Sequence, residues 1–287
     1  MQKLYPIVLS VLLLFGCKST VEQNDYNNQL EETDSNASHI EKNAKKLDLD
    51  KTLTIDHSRL AARENQYLAP SRVDFFNDDK LNTQLLKNNP QIGLDLPFRV
   101  LSYVEEGKKK VIYTDAKFLK KRHGITDEAA LSQYESQIKS LVNGLDKAAP
   151  VPSDGVTEDY GIEKLVSVHD FKTTIKNIKK DVLAQDDTIW FMNWDYRAHA
   201  HAIGERLTKA TLLVFGGPVP GAKSMENFPS IGLDAFGQKV LVTEENGQVV
   251  VRYNNIVSIS KLHYGHSSIA HRVINYRLQK TLGGAVK

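Results

Sequence analysis

Apolar positions along the chain follow two rhythms, and each recurs in a second place. Phe171, Ile175, Ile178 and Val182 step by four, three and four, which keeps them on one face of an α-helix. Leu131, Tyr134, Ile138 and Leu141 do the same for another helix. Between such stretches lie short runs rich in β-branched and aromatic residues, and these predict strands at Leu53–Ile55, Arg72–Phe76, Ile189–Trp194 and Thr211–Phe215. Two further pairs of apolar runs, Phe98–Val104 with Lys109–Tyr113 and Lys239–Thr243 with Val249–Tyr253, flank Glu106-Gly107 and Asn246-Gly247. Asn-Gly between apolar runs is the strongest short hairpin signal, because both turn residues must adopt positive φ. Helices are predicted at Arg59–Leu68, Ala116–His123, Ala198–Leu207 and Val257–His263, with short ones ending near Pro90 and Pro229.

The matching order of elements has a sequence counterpart. Pro90-Gln91-Ile92-Gly93-Leu94-Asp95 recurs as Pro229-Ser230-Ile231-Gly232-Leu233-Asp234, a lag of 139 residues. Asp56 and Phe76 find Asp195 and Phe215 at the same lag. Arg99, Gly107, Tyr113 and His123 find Lys239, Gly247, Tyr253 and His263 at a lag of 140, after one inserted residue near Phe236-Gly237. A long period with one gap means two copies of a domain. The predicted organisation is a first repeat over 37–146, a Pro- and Gly-containing linker over 147–163 and a second repeat over 164–287. The fold class is α+β: each copy is a small mixed β-sheet with a hairpin, covered by helices. The two repeats are expected to pair as a pseudo-dimer, as homodimer halves do.

The N-terminus adds a compartment. Lys3 precedes an apolar run from Ile7 to Phe15, too short for a permanent span of ~20 residues but suited to a signal-peptide core. Leu14-Phe15-Gly16-Cys17 resembles a bacterial lipobox. The resemblance implies a signal peptide over 1–16 and a diacylglycerol on Cys17, the only cysteine in the chain. It implies attachment to a bacterial envelope membrane, with the absence of Asp after the cysteine leaning toward the outer one. Residues 17–36 are polar and read as a tether between anchor and body. A single cysteine excludes a disulfide framework or Cys-rich metal cluster within one chain. With 37 Lys+Arg against 35 Asp+Glu, no global field favours nucleic acid as a partner.

Copy two runs Phe215-Gly216-Gly217-Pro218, then Ile231-Gly232-Leu233-Asp234, then the hairpin. Copy one carries Ile55-Asp56-His57, Ile92-Gly93-Leu94-Asp95-Leu96-Pro97 and Arg122-His123-Gly124. These segments resemble the bacterial family called domain of unknown function 302, across about residues 36–146 and 164–285. The resemblance implies an α+β fold that often pairs and implies no settled reaction. The copies depart from the pattern differently: copy one has Asn77-Asp78-Asp79 after Phe76, and copy two has Tyr196 where His57 stands. Each copy then holds a partial site, or the two share one.

The candidate ligand-binding residues are Gly93, Asp95, His57, Tyr113 and His123, with Gly232, Asp234, Tyr253 and His263 as their partners in the second copy. Gly93 and Gly232 could instead be left-handed helix caps, with the aspartates bonding the next turn. The aspartates could also face each other across the pair. His199, His201, His263 and His266 are weak metal candidates, because residues two apart on a helix point to different faces. Gly216-Gly217-Pro218-Val219-Pro220-Gly221 lacks the order of a phosphate loop and reads as a rigid strand-to-helix loop that can border a pocket. Lys117, Lys120, Lys121 and Arg122 read as a solvated helix face. The chain carries no nucleophile elbow and no His-Glu-x-x-His motif. The first functional reading is therefore a lipid-anchored protein with two tandem domains that bind a small molecule or an envelope protein. No cofactor is expected beyond the lipid. An enzyme using an Asp/His acid–base pair is the second reading, and histidine-mediated metal binding the third.

Overall fold

The structure is a computed structural model that describes residues 15–287. It opens with α1 (Phe15–Lys46), β1 (Asp50–Asp56), α2 (His57–Arg63), β2 (Ser71–Asn77) and α3 (Asp79–Asn88). A first 3₁₀ turn (Pro90–Leu94) leads to the hairpin β3 (Phe98–Glu105) and β4 (Lys108–Tyr113), then α4 (Ala116–His123) and α5 (Glu128–Leu141). The strands β5 (Ala148–Pro150) and β6 (Ile162–Ser167) follow, and the order then repeats: α6 (Phe171–Leu183), β7 (Ile189–Asp195), α7 (Tyr196–Ala202), β8 (Ala210–Gly216) and α8 (Pro218–Met225). A second 3₁₀ turn (Pro229–Leu233), β9 (Gln238–Glu245), β10 (Gln248–Asn254), α9 (Ile256–Tyr264) and α10 (Ile269–Ala285) complete it.

Local chemistry explains why matched residues recur. Asp56 and Asp195 are the N-caps of α2 and α7, each accepting a backbone N–H three residues on. The hairpin turns place Glu106, Gly107, Asn246 and Gly247 at φ of 52°, 69°, 51° and 78°, as their composition demands. Both copies bulge at the same place, between Lys51 and Leu53 in β1 and between Trp190 and Met192 in β7.

Each copy builds a five-stranded sheet, ordered β1-β2-β3-β4-β5 and β6-β10-β9-β8-β7. The first is mixed only because β5 runs parallel to β4, and the second is antiparallel throughout. The stretch predicted as a linker thus contains β5 and the start of β6. A three-residue edge strand ending in Pro150 carries no alternation to read, and proline is tolerated there because an edge position needs no donor. The predicted tether also departs from expectation. α1 runs unbroken from Phe15 to Lys46, with Thr33, Ala37, Ile40 and Ala44 buried against the first sheet. Tertiary contacts on one narrow face hold a helix that composition alone would leave unformed. The predicted signal peptide lies outside the described residues except for Phe15 and Gly16. Among the described residues no helix is long and apolar enough to cross a membrane.

Helices cover one face of each sheet: α1 lies over β1 to β4, while α6 and α10 pack together beside β9. The 3₁₀ turns connect the copies. The first turn packs on β8 and β9, and the second on β2 and β3, so each lies on the other copy's sheet. This crossing explains Gly93 and Gly232, and it corrects the cap reading, since neither has a positive φ. A Cβ on Gly93 would lie 2.9 Å from Leu241 and 3.1 Å from Tyr196, and one on Gly232 would lie 2.5 Å from Met225 and 3.3 Å from the His57 ring. His57 and Tyr196, which occupy equivalent positions, each reach the opposite copy. His57 packs against Phe236 with ring centroids 4.8 Å apart. The Tyr196 hydroxyl shares its proton between the Gly93 and Leu96 carbonyls, at 2.8 and 2.7 Å. Tyr196→Phe leaves those buried carbonyls without that donor and is expected to destabilise the protein by about 1–3 kcal/mol. A urea midpoint equal to that of the parent chain would rule out this contact as a clasp.

Candidate functional site

Asp95 and Asp234 end the two 3₁₀ turns and meet at the centre of the interface. Three cations surround them. Arg99 and Lys239 start β3 and β9 at equivalent positions, and Arg122 comes from α4. Arg99 Nη2 lies 3.0 Å from Asp95 Oδ1 and 3.2 Å from Asp234 Oδ1, bridging the copies. Lys239 donates to Asp234 and sits 3.8 Å from Asp95. Arg122 donates to Asp95 Oδ2 at 2.7 Å, to Asn254 of the second copy at 2.7 Å, and to the Tyr160 and Gly161 carbonyls of the connecting segment. Arg122 is fully buried, which corrects its expected place on a solvated face with Lys117, Lys120 and Lys121.

The electrostatics follow from burial against pairing. Burial alone would raise the Asp95 carboxyl, but Arg122, His123 and Lys239 together hold it well below the ordinary range. Burial likewise opposes the ionised Asp234, and Lys239 with Arg99 outweighs it. Lys239 is pushed down to about 8, first by burial and then by the like charge of Arg99. With Lys239 protonated, three cations face two carboxylates in a dry interior.

The matched histidines lie near this cluster but differ. His123 Nε2 donates to Asp95 Oδ2 at 2.7 Å, and burial lowers its affinity for a second proton, so the ring is neutral with its proton on Nε2. His263 has no such bond. Its Nδ1 meets Ser230 Oγ at 2.9 Å, and burial pushes its pKa down to about 4. His57 pairs with Ser71 Oγ at 3.0 Å, while its Nε2 is buried without a hydrogen-bond partner. Burial drives His57 to about 3. The hairpin tyrosines are not part of the cluster. Strand alternation turns Tyr113 and Tyr253 away, while the next residues, Thr114 and Asn254, contact Arg99 and both Arg122 and Asp234. Tyr253 instead lines a surface cleft with Glu163, Asn255 and Tyr276.

The weak metal candidates do not converge. His199 stacks on Trp194 and contacts Asp79 at 3.1 Å, His201 is exposed, and His266 contacts the Tyr264 carbonyl. Among the described residues, no group of three or more His, Cys, Asp or Glu side chains could hold a metal ion.

The Asp–His contact required by an acid–base site is therefore present but sealed. The Asp95 and His123 side chains are 1% and 0% exposed. An open pocket lies elsewhere, under the strand-to-helix loop of copy two. Val182, Phe215, Phe236, Ile274 and Leu278 contribute apolar walls. Its polar rim is braced: Arg277 donates to both Asp187 oxygens at 2.7 and 2.6 Å and to Gln185 at 2.7 Å. Loop glycines allow Phe236 to form the floor, since a Cβ on Gly216 would fall 1.9 Å from the Phe236 carbonyl and one on Gly221 2.3 Å from its ring. Copy one places Asp78 and Gln137 where copy two has Gly217 and Arg277, and these two bond at 2.8 Å.

Domain of unknown function DUF302 matches residues 27–145 and again 163–282, and the chain belongs to that family as a tandem pair of its domains. A solved structure described as that of an uncharacterized conserved protein DUF302 from Bacillus stearothermophilus is 15% identical, with a TM-score of 0.37. That match covers 44% of this chain and 95% of the other. No curated protein matches.

Proposed function

We propose that this is a lipid-anchored bacterial envelope protein that binds a small, largely apolar molecule in the pocket of its second copy, while the first copy serves as its fixed structural partner. The observation that carries the binding reading is the cavity itself. It has apolar walls and a braced polar rim, the mixture of lining that fixes a small apolar molecule in place. The signal-like N-terminus and Cys17 support the anchor and its compartment. The sealed state of Asp95 and His123 weighs against the acid–base reading, because a substrate has no route to them.

Native mass spectrometry of the full chain purified from its own membrane tests this. The expected spectrum shows a bound species of a few hundred daltons that leaves on denaturation. Ile274→Trp, which fills the pocket from α10, is expected to lose that species while keeping the parental melting temperature. A parent chain that leaves the membrane without any adduct overturns the binding reading. A Cys17→Ser chain that still fractionates with membranes overturns the anchor.

A further inference from the structure

We propose that the open cleft between the N-terminal turns of α1, the loop 64–69 and the β3–β4 hairpin binds a neutral saccharide chain. The site is separate from the pocket of copy two and does not depend on it.

Three observations carry the assignment. The first is an aromatic platform. Tyr67 is 76% exposed, and its ring rests against Tyr26 with centroids 5.8 Å apart and planes tilted by 50°. One edge of the platform is therefore packed and the remainder faces the open cleft. The C–H face of a sugar ring is apolar and fits such a surface, whose aromatic body and hydroxyl suit a half-wet ligand.

The second observation is the polar lining. Gln23, Gln29, Gln66, Asp25 and Glu106 line the cleft, and among the described residues no lysine or arginine does. An amide both donates and accepts, and so does each sugar hydroxyl, so the two match without a net charge. Gln29 donates to Asp25 at 3.0 Å, which orients this pair on the α1 wall. Among the described residues, phosphate and other anions would meet two carboxylates and no cation, which favours a neutral ligand.

The third observation is that copy two has no matching wall. Its corresponding helix, α6, begins at Phe171 and lacks the turns that carry Gln23, Asp25, Tyr26 and Gln29. Those polar turns of α1 have little intrinsic reason to persist as helix. They are fastened by Arg59, which grips Asp34 at 2.6 and 3.0 Å, and by the Tyr26–Tyr67 contact. A wall maintained in this way, beside an exposed tyrosine, gives the extra helix length a binding role.

The full chain, held in a polyoxyethylene detergent that carries no sugar, can be titrated with chitotetraose, cellotetraose and maltotetraose by calorimetry and saturation-transfer NMR. At least one is expected to bind with Kd in the range of about 10 μM to 1 mM. Tyr67→Ala is expected to weaken that binding about tenfold or more. Because Tyr67 also packs on Tyr26, a second variant that keeps this contact separates lost binding from a loosened α1. Gln66→Ala, further from the helix contact, is expected to weaken binding as well, and Ile274→Trp to leave it alone. The proposal is overturned if no saccharide binds at about 10 mM, if both cleft variants bind like the parent, or if choline or spermidine occupies the cleft and saccharides do not.

Discussion

Asp95→Ala is expected to lower the unfolding free energy by about 4 kcal/mol, more than loss of the Tyr196 hydroxyl or of any exposed side chain. Asp95 accepts hydrogen bonds from Arg122, His123 and Arg99 and has Lys239 at 3.8 Å. Its removal leaves three buried cations with one carboxylate, Asp234. The loss reflects uncompensated charge more than the worth of any one contact, because a buried ion pair only roughly repays its own desolvation. Asp154 provides the control: its side chain is fully exposed, and Asp154→Ala should stay within about 0.5 kcal/mol of the parent. Equilibrium urea unfolding measures both. A loss at Asp95 below about 1 kcal/mol would mean the cluster does not hold the copies together.

Acid is expected to destabilise the protein through its buried histidines before Asp95 and Asp234 protonate. His57 is held near 3, below the ~6.5 of an unfolded histidine, because its burial disfavours the charged ring. A group with a depressed folded pKa supplies stability that is complete above ~6.5 and is lost as pH falls toward the folded value. Between pH 6.5 and 4.5 His57 alone is expected to remove about 2–3 kcal/mol, at up to ~1.4 kcal/mol per pH unit. His263, held near 4 and less deeply buried, adds a smaller loss in the same direction. The lowered pKa values of Asp95 and Asp234 place their contribution below ~3.9, outside this window. Lys239 acts at the alkaline end and with the opposite result for the cluster. Its charge is disfavoured in the folded state, so that penalty is relieved as pH rises from about 8 toward ~10.4. Stability measured at half-unit intervals, for the parent and for His57→Gln, should differ in slope by about one proton on the acid limb. Parallel acid limbs would remove His57 as the cause.

Much of the architecture is legible from periodicity and from the repeat. Both hairpins, their turns and the order of elements in each copy follow from apolar spacing and from residues such as Asn246-Gly247 that admit few conformations. The repeat also points to Asp95 and Asp234, and leaves open that they meet across the copies, as they do. Their partners are harder to see. Arg99, Arg122 and Lys239 look like surface residues in any composition count, and the pairing of Arg99 with Lys239 at equivalent positions, a conservative change within an apolar strand, is the available signal. β5 and β6 are hidden because a three-residue edge strand has no period and β6 has only a weak one. The length of α1 is hidden because its stability comes from contacts such as Arg59–Asp34, made with residues 25 positions away. The loop Gly216–Gly221 is legible as a rigid pocket border, but the cavity beneath it depends on Phe236, Ile274 and Leu278 arriving from separate elements.

Joining the two copies in one chain changes what mutation can do to them. In a symmetric dimer of identical chains, each substitution appears on both sides of the axis and must be tolerated twice. Here one half can change alone. Position 122 remains arginine in the first copy while its equivalent is Leu262, and His57 faces the second copy while Tyr196 faces the first. One half can therefore carry the pocket while Asp78 and Gln137 bond to each other at the corresponding place in the other. A chain built this way need not present two equivalent pockets, so the ligand proposed for copy two is expected to saturate it one-to-one.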